Sequence, residues 1–450
     1  MQANKLAIVG IGVNSGDVSF NALNLIKTAD FVLVRTAQTK SWEFLKEVRS
    51  DFISLDFVYE KSRSFNTLNK NLAKSVLDYL KKGSVCYLVD GGVSDDLSSQ
   101  ILIDKHKNTV VFEGVSKCKN ALSACGVFST SYSSFSAYDI ESFSPNVFPL
   151  VVFDLDSKII AGEWKLKLME TVGEEQEVWL YSDKQRKKVA IYQLDWEDDF
   201  DYSTVLIVEK TPLLKKEKFN FSDLYEIVKK LRAPDGCPWD REQNMDTIRK
   251  NLIEECYELC DAIDQKNDDK ILEEIGDVLL QAVFHIIFAE ERFAFNKTDA
   301  ITDECKKLIF RHSHIFGEDR ATSSTEALDV WDKNKQVEKG FSTPYEYVSD
   351  VPKSFPSLLR GQKVLKRCEK YAISKPTKDE IIQKISQLAK SENKTDLENL
   401  LLCCCYLLKI LDMDGEESLY FAISRLVDAF SENDGNNFNL SAYLLGEKWK

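Results

Sequence analysis

The sequence lacks a long hydrophobic segment and an excess of positive charge. Its longest apolar run, residues 400–408, is far shorter than the roughly 20 residues that a membrane-spanning helix needs. The 450 residues carry a net charge of −14, whereas binding to extended nucleic acid depends on neutralising phosphates with Lys and Arg. The first residues do not follow the pattern of a signal peptide. We therefore expect a cytoplasmic protein that binds neither a membrane nor extended nucleic acid.

Cysteine is present eleven times, but its placement does not suit a disulfide scaffold. Cys403, Cys404 and Cys405 are adjacent in an apolar stretch, and neighbours in one helix cannot all pair. We expect free thiols that pack as small apolar groups in a reducing compartment. A zinc site at Cys256 and Cys260 is the alternative, although a spacing of four on a packed helix is not one that zinc sites use.

The chain is too long for one hydrophobic core and changes character along its length. Residues 5–210 alternate apolar, strand-like runs with amphipathic segments, which predicts α/β structure with a largely parallel sheet. The runs are longer and more mixed after residue 148, which favours a second α/β lobe. Helical periodicity dominates from residue 221 onwards. We predict an α/β domain at 1–212 with lobes 1–117 and 118–212, a linker at 213–220, and an all-α region after it.

Two consecutive helical segments carry five carboxylates among apolar residues. Residues 251–258 read Asn-Leu-Ile-Glu-Glu-Cys-Tyr-Glu, and an acidic pair at a spacing of three begins sixteen residues later. The carboxylates belong to Glu254, Glu255, Glu258, Glu274 and Asp277. Residues three and four apart share a helix face, so two such helices would gather like charges that repel each other. Because Mg²⁺ prefers oxygen ligands, the pattern predicts a magnesium site; a solvated acidic face is the alternative.

Cations and one tryptophan lie at positions where a phosphorylated ligand would need them. Arg249 precedes the first acidic pair by about one helical turn, and Lys250, Arg311 and Lys335 are further candidates for phosphate contacts. The alternative for each is an ordinary surface charge. Trp239 follows a turn and suits stacking on a base, or equally anchoring a helix bundle.

Further motifs lie on either side of the acidic residues. They are residues 236–243 (Gly-Cys-Pro-Trp-Asp-Arg-Glu-Gln), residues 311–317 (Arg-His-Ser-His-Ile-Phe-Gly), Trp331 and Lys335. Together with the two acidic motifs, they give this region a close resemblance to the MazG family of nucleoside triphosphate pyrophosphohydrolases. It implies an all-α MazG-like bundle at 221–340 that forms a homodimer and hydrolyses nucleoside triphosphates to monophosphate and pyrophosphate. It also implies that the five carboxylates bind Mg²⁺, with Mn²⁺ as an alternative ion. Glu255 or Glu258 would then be the base that activates water.

Residues 341–450 resemble a degenerate second repeat of that family. Residues 350–359 and 362–367 match the opening of the repeat. Where the repeat can carry its own acidic motif, residues 383–387 read Gln-Lys-Ile-Ser-Gln, and Asp396 is the one carboxylate at a motif position. We therefore predict that this half serves packing or a dimer surface and holds no second metal site.

The amino-terminal half resembles the tetrapyrrole (corrin/porphyrin) methylase family, through residues 9–12 (Val-Gly-Ile-Gly), 113–116 (Glu-Gly-Val-Ser) and 161–169. The resemblance implies S-adenosylmethionine bound near Gly10, Gly12 and Gly114. Two departures argue against that cofactor. Asn14 and Ser15 interrupt the first glycine loop, and residues 90–94 lack the family's proline, which changes the shape of the loop.

The whole chain therefore resembles a tetrapyrrole methylase–MazG fusion. Triphosphate hydrolysis is the leading prediction for its function. A methyltransferase that acts through the amino-terminal domain is one alternative. The other alternative is a non-catalytic nucleotide sensor or scaffold.

Overall fold

A five-stranded parallel sheet forms the first lobe of the protein. The computed structural model describes residues 5–62, 64–144, 147–431 and 438–446. The strands are β1 (Leu6–Gly10), β2 (Phe31–Val34), β3 (Phe52–Ser54), β4 (Val85–Val89) and β5 (Thr109–Phe112). They lie in the order β3-β2-β4-β1-β5, and every neighbouring pair is parallel. All five residues of β1 and of β4 are buried, as a parallel sheet covered on both faces requires.

Helices cover both faces of this sheet. They are α1 (Phe20–Thr28), α2 (Leu45–Val48), α3 (Asp56–Lys61), α4 (Phe65–Leu80) and α5 (Leu97–Lys105). Because successive strand residues point to opposite faces, Leu6 and Ile8 pack in one core with α4, and Val9 packs in the other with α1. Helix α4 begins where the Ser64 side chain accepts the backbone N–H of Thr67, which caps its first turn.

A second five-stranded sheet forms the second lobe. Its elements are α6 (Lys117–Ala124), β6 (Ser133–Ser136), β7 (Leu150–Phe153), α7 (Lys158–Thr171), β8 (Glu177–Tyr181), β9 (Arg186–Ala190) and β10 (Val205–Val208). The strand order is β6-β7-β10-β8-β9; β6 and β7 are parallel, and the other pairs are antiparallel. Trp164 of α7 is fully buried in its core, and its indole N–H donates to the Ala137 carbonyl over 2.8 Å. The predicted two-lobed α/β region is confirmed.

The described residues after 220 contain helices and no strand, which confirms the predicted all-α carboxy-terminal region. The helices are α8 (Phe221–Leu231), α9 (Pro238–Glu242), α10 (Arg249–Asp264), α11 (Asp268–Glu291), α12 (Lys297–Arg311), α13 (Ser313–Phe316), α14 (Ser324–Lys339), α15 (Pro344–Ser349), α16 (Ser357–Glu369), α17 (Lys378–Leu388), α18 (Lys394–Ile410), α19 (Gly415–Ser431) and α20 (Leu440–Leu445). None of the helices among the described residues combines the length and hydropathy needed to cross a membrane.

The apolar residues between the carboxylates of α10 and α11 are less buried than the sequence pattern suggests. Tyr257 is 61% exposed and Leu272 is 74% exposed, and Ile253, Ile275 and Leu279 are exposed as well. One stripe of each helix is therefore not covered by the described residues of this chain. The reason is that an apolar residue every three or four positions encodes a contact surface without specifying whether one chain covers it.

Polar contacts join the helices of the last hundred residues. The buried side chain of Gln362 on α16 donates to the Met413 carbonyl over 2.9 Å and accepts the Gly415 N–H over 2.8 Å. Glu369 accepts the Tyr406 hydroxyl over 2.6 Å and pairs with Lys409. A carboxylate and an amide that are saturated in this way hold helices together, which agrees with a packing role for this half.

The chain divides into two units, Met1–His285 and Ile286–Lys450. The boundary falls inside α11, so it follows neither of the junctions expected on either side of residues 221–340. The four-part division of the chain stays a prediction.

Candidate functional site

Three of the five carboxylates come together where α10 meets the first half of α11. One oxygen from each of Glu255, Glu274 and Asp277 lies within 4.8 Å of the other two. The spacing of three puts Glu274 and Asp277 on one face of α11, and the short turn at residues 265–267 places α10 beside it. All three side chains are half-buried.

Glu254 and Glu258 are exposed and lie outside this group of three. Glu254 is one residue from Glu255 and so is rotated about 100° around the helix, away from the shared face. Glu258 lies one turn after Glu255 and contributes to the electrostatics of both helices, since it repels Glu255 and Glu274. A direct metal contact by either residue stays a prediction.

The electrostatics of the group are unfavourable for the metal-free protein. Partial burial, followed by repulsion from Asp277 and Glu258, raises the pKa of the Glu255 carboxyl. Partial burial also raises the pKa of Glu274, with repulsion from Glu258 as the next cause. Like charges that cannot separate bind protons more tightly, or bind another cation.

Gln281 is a member of the site that sequence reasoning missed. It lies one turn after Asp277 on α11 and is buried, and its amide Nε2 lies 3.4 Å from Glu255 Oε1. Among the described residues, its own Oε1 is buried without a hydrogen-bond partner. The amide therefore lies in direct reach of the carboxylates while its oxygen is enclosed by the protein. An amide within an otherwise apolar run was the available signal in the sequence.

The donor set fits a hard divalent cation. All three groups offer carboxylate oxygens, which Mg²⁺ and Mn²⁺ prefer. One oxygen from each group lies within 4.8 Å of the other two, so the three carboxylates lie near enough to one another to share a single cation. The zinc alternative has no such support, because neither Cys256 nor Cys260 belongs to a group with metal-ligand spacing among the described residues.

Three substrate-binding candidates lie near the amino-terminal end of α10 or before it. Arg249 and Lys250 are the first two residues of this helix, and both are exposed. Trp239 on α9 is 59% exposed, which disfavours the alternative that it anchors the bundle within one chain. An exposed indole and two exposed cations are free to contact a ligand.

Arg311 and Lys335, in the second unit, flank the Trp331 ring. The guanidinium carbon of Arg311 is 5.2 Å from the ring centroid, and the Lys335 ammonium is 4.7 Å from it. Arg311 forms two hydrogen bonds to Glu338, at 2.6 and 3.2 Å. Lys335 makes no ion pair with any described carboxylate, and its pKa is lowered by burial and then by Arg311 and Arg367. Of Arg311 and Lys335, Lys335 is therefore the cation that is available to bind an anion.

The glycines expected to lie near a cofactor also lie against each other, and their contact with a cofactor stays a prediction. A Cβ on Gly114 would lie 2.4 Å from the Gly91 carbonyl oxygen, and a Cβ on Gly10 would lie 2.5 Å from the Gly114 nitrogen. Gly12 has a φ of +75° and exchanges two backbone hydrogen bonds with Gly91. Close approach of the backbone therefore explains these glycines.

The chain's own carboxylates also bind the amides of these loops. Asp17 accepts the backbone N–H groups of Val13 and Asn14, and Asp95 accepts those of Gly92 and Lys117. A cofactor would have to compete with these contacts, so the loops do not fit S-adenosylmethionine well.

Comparison with known proteins places this site in a family. Residues 243–316 match the MazG nucleotide pyrophosphohydrolase domain. The chain is 34% identical over 227 residues to the nucleoside triphosphate pyrophosphohydrolase/pyrophosphatase MazG of Thermotoga maritima, and the match covers 49% of this chain and 87% of that protein. The chain belongs to the MazG family. All five carboxylates lie inside the matched MazG range, whereas Trp239 and Lys335 lie just outside it.

Other relatives of this MazG protein differ in how much of it they match. The nucleoside triphosphate pyrophosphohydrolase of Escherichia coli is 36% identical over 163 residues, which cover 36% of this chain and 62% of that protein. The uncharacterized protein YabN of Bacillus subtilis is 28% identical over 380 residues, which cover 81% of this chain and 77% of that protein. Among solved structures, the uroporphyrin-III-C-methyltransferase of Thermus thermophilus is similar, with 17% identity, a TM-score of 0.36, and coverage of 46% of this chain and 94% of that one.

Proposed function

We propose that this protein is a nucleoside triphosphate pyrophosphohydrolase that depends on Mg²⁺, or on Mn²⁺ in its place, and releases nucleoside monophosphate and pyrophosphate. Two observations support the proposal. The chain belongs to a family whose Thermotoga maritima and Escherichia coli members carry that activity in their names. The observation that carries it is the group of three carboxylates, whose oxygens lie at a spacing suited to one cation.

Glu255, Glu274 and Asp277 would hold the metal, with Glu254 and Glu258 beside them. A divalent ion bound there would shield the negative oxygens of the triphosphate and lower the pKa of a bound water. Gln281 holds Glu255 through its amide N–H. This contact would keep the Glu255 carboxylate turned toward the metal.

Glu258 is our preferred base for the attacking water. It is exposed, so it can receive a proton and return it to solvent, and it lies one turn from Glu255 on α10. Glu255 already belongs to the metal-binding group, which leaves Glu258 free for proton transfer. General bases of this kind must lie within hydrogen-bond reach of the water they activate.

Five residues would bind the nucleotide. Lys335 is the strongest candidate for a phosphate contact, because it is half-buried and carries a charge that no described carboxylate pairs with. Arg311 would first have to exchange its contact with Glu338. Arg249 and Lys250 would add positive charge, and Trp239 would stack on the base.

We also propose that the protein is a homodimer through its α-helical domain. The exposed apolar residues of α10 and α11 support this proposal, since exposed patches of this kind usually mark interaction surfaces. The domains would be a methylase-like domain at 1–212, a linker at 213–220, a MazG domain at 221–340 and a degenerate repeat at 341–450. Eleven free cysteines agree with a cytoplasmic location.

The test is product analysis with the full-length protein. A panel of ribo- and deoxyribonucleoside triphosphates is incubated with Mg²⁺, with Mn²⁺ or with chelator, and products are separated by ion-exchange chromatography. We expect monophosphate and pyrophosphate in equal amounts, and no turnover with chelator. Release of diphosphate and phosphate would contradict the proposal. Tight nucleotide binding without turnover would instead favour a sensor.

A further inference from the structure

A cavity of about 350 Å³ lies beside the segment that joins β10 to α8, and nothing in the proposed hydrolysis uses it. It lies at the end of the second sheet where β7 begins and β10 ends, since Phe148 and Lys210 both line it. Asp154, which follows β7, lines the space between the two lobes instead, so the two cavities lie at opposite ends of this strand. The volume is within the range of small-molecule pockets, which is roughly 300–1,000 Å³.

The walls of this cavity are rich in lysine, although the chain has a net charge of −14. Lys210, Lys216 and Lys218 line it, and Glu170, which is exposed, is the one carboxylate among the described lining residues. Lys216 is neutralised by Asp223, whose two oxygens lie 2.7 and 2.8 Å from its ammonium. Lys210 and Lys218 are exposed and form no ion pair with a described carboxylate. Positive charge is therefore left to attract an anion.

The segment that carries Lys216 and Lys218 is fixed against the second lobe. Glu217 lies between them, and its carboxylate accepts the backbone N–H groups of Glu174 and Glu175 over 2.9 and 3.1 Å. The backbone is extended at Lys216, and side chains alternate in direction along an extended segment. Glu217 therefore points to the lobe, whereas both lysines line the cavity.

A second, independent observation is an aromatic wall in the same cavity. Phe148 and Phe219 both line it, and Phe219 is 54% exposed. Phe219 directly precedes Asn220, whose side chain accepts the N–H groups of Ser222 and Asp223 at the start of α8. The ring therefore extends from a backbone that the helix cap holds in place. An exposed ring beside ammonium groups suits a ligand with both an aromatic ring and an anionic group.

We propose that this cavity binds a phosphomonoester that carries an aromatic ring, with its phosphate on Lys210 and Lys218 and its ring against Phe219. A phosphomonoester carries about −1.5 to −2 charges at pH 7, which two ammonium groups can balance. The small volume suits a single small molecule better than an acidic polymer. The proposal goes beyond triphosphate hydrolysis, because the lining includes none of the five carboxylates and none of the proposed nucleotide contacts.

The test is calorimetric titration of the full-length protein with AMP and, separately, with pyridoxine phosphate. Chelator is present so that no metal ion can link a phosphate to the acidic site. The two arms distinguish a nucleotide from another aromatic phosphomonoester. We expect at least one of them to bind at one saturable site per chain. It should bind more tightly than inorganic phosphate and more tightly than the same compound without its phosphate.

Three variants locate the binding. Lys218→Gln should weaken it about tenfold, because the phosphate loses a charged hydrogen bond. Phe219→Leu keeps an apolar residue before α8 but removes the ring, so it should weaken binding about threefold to tenfold. The matched control is Lys215→Gln, which removes the same charge from an exposed lysine of the same segment that does not line the cavity. This control should bind as the unchanged protein does.

All three variants should melt at the wild-type temperature and release pyrophosphate at the wild-type rate. An equal loss of affinity in Lys218→Gln and Lys215→Gln would overturn the proposal, because general attraction to the basic segment would then explain the binding. Wild-type affinity in Lys218→Gln would overturn it too, as would the absence of saturable binding in both arms. Inorganic phosphate that binds as tightly as the phosphomonoester would contradict the role given to the ring.

Discussion

The carboxylates around Lys117 in the amino-terminal domain and those on the acidic face of α10 and α11 differ in their countercharge. The Lys117 ammonium lies 2.9 Å from Asp90 and 2.6 Å from Asp154. On the helices, Glu255, Glu274 and Asp277 come together with no described lysine or arginine paired to them. Asp90 and Asp154 therefore have a countercharge within the chain, whereas the three carboxylates of the helices have none among the described residues. This difference is the physical reason for assigning the metal chemistry to the helices.

The same two regions differ in how they bury apolar surface. Both sheets have cores in which residues such as Leu6 and Trp164 are fully buried. The helices with the acidic face leave Tyr257, Leu272 and Leu279 exposed. The sheets are therefore stable through contacts within the chain, and the helices have surface left for another molecule.

The largest expected effect comes from a core substitution in the second lobe. Trp164→Ala removes a fully buried indole and should lower the free energy of unfolding by about 3–5 kcal/mol. Leu279→Ala, on the exposed stripe of α11, should cost under about 1 kcal/mol at a concentration where the protein is monomeric. Thermal unfolding with light scattering for molecular mass checks both. A Leu279→Ala cost as large as that of Trp164→Ala would show that the stripe is covered within one chain.

The next effect is on catalysis. Asp277→Asn should lower pyrophosphate release about a hundredfold or more, since it removes a carboxylate from the metal group, while thermal stability stays the same or rises. Gln281→Leu should cost about tenfold, because it loosens Glu255 without removing a ligand. Glu273→Gln, an exposed neighbour on α11, is the control. Wild-type turnover in Asp277→Asn would remove that residue from the site.

The smallest effect is a dependence of stability on pH. The pKa values of Glu255 and Glu274 are raised in the folded protein, so protonation of these groups favours folding. That contribution is complete below the unfolded pKa of about 4.3 and is lost as pH rises through the raised value. The metal-free protein should therefore lose stability over that window relative to Asp277→Asn, and Mg²⁺ should restore it. Melting temperatures with chelator and with Mg²⁺ check this, and identical slopes for the two proteins would contradict it.

Several strands could be predicted because they coincide with apolar runs. β1, β4 and β10 are buried at every residue, and a run that is buried on both faces shows little ambiguity at its ends. The edge strands were harder. β6 reads Ser-Ser-Phe-Ser, and β9 is basic over its first three residues, so no apolar run marks where either strand begins. An edge strand forms because the neighbouring strand offers backbone hydrogen bonds. The side chains of the edge strand carry no pattern that predicts this pairing.

Sequence spacing predicts which acidic residues share a face of one helix. It does not predict which faces of two helices meet. The pattern indicates that Glu274 and Asp277 share a face, but it treats Glu254 and Glu255 alike. Which of the two turns toward α11 depends on the rotation of α10, which tertiary packing sets. Gln281 could not be predicted for the same reason. Its amide Nε2 lies 3.4 Å from Oε1 of Glu255, which is 26 positions earlier in the chain.

Helix α11 carries both an acidic section and a buried apolar section, and the geometry of one helix fixes their relative rotation. It has 24 residues, so at 1.5 Å per residue it is about 36 Å long. Its early turns present Glu274 and Asp277, and Val283 and Phe284 further along are buried. Loss of one residue between them would turn the acids by about 100° relative to that buried section. The number of residues between Asp277 and Val283 is therefore fixed by this one helix, whichever side chains the segment carries.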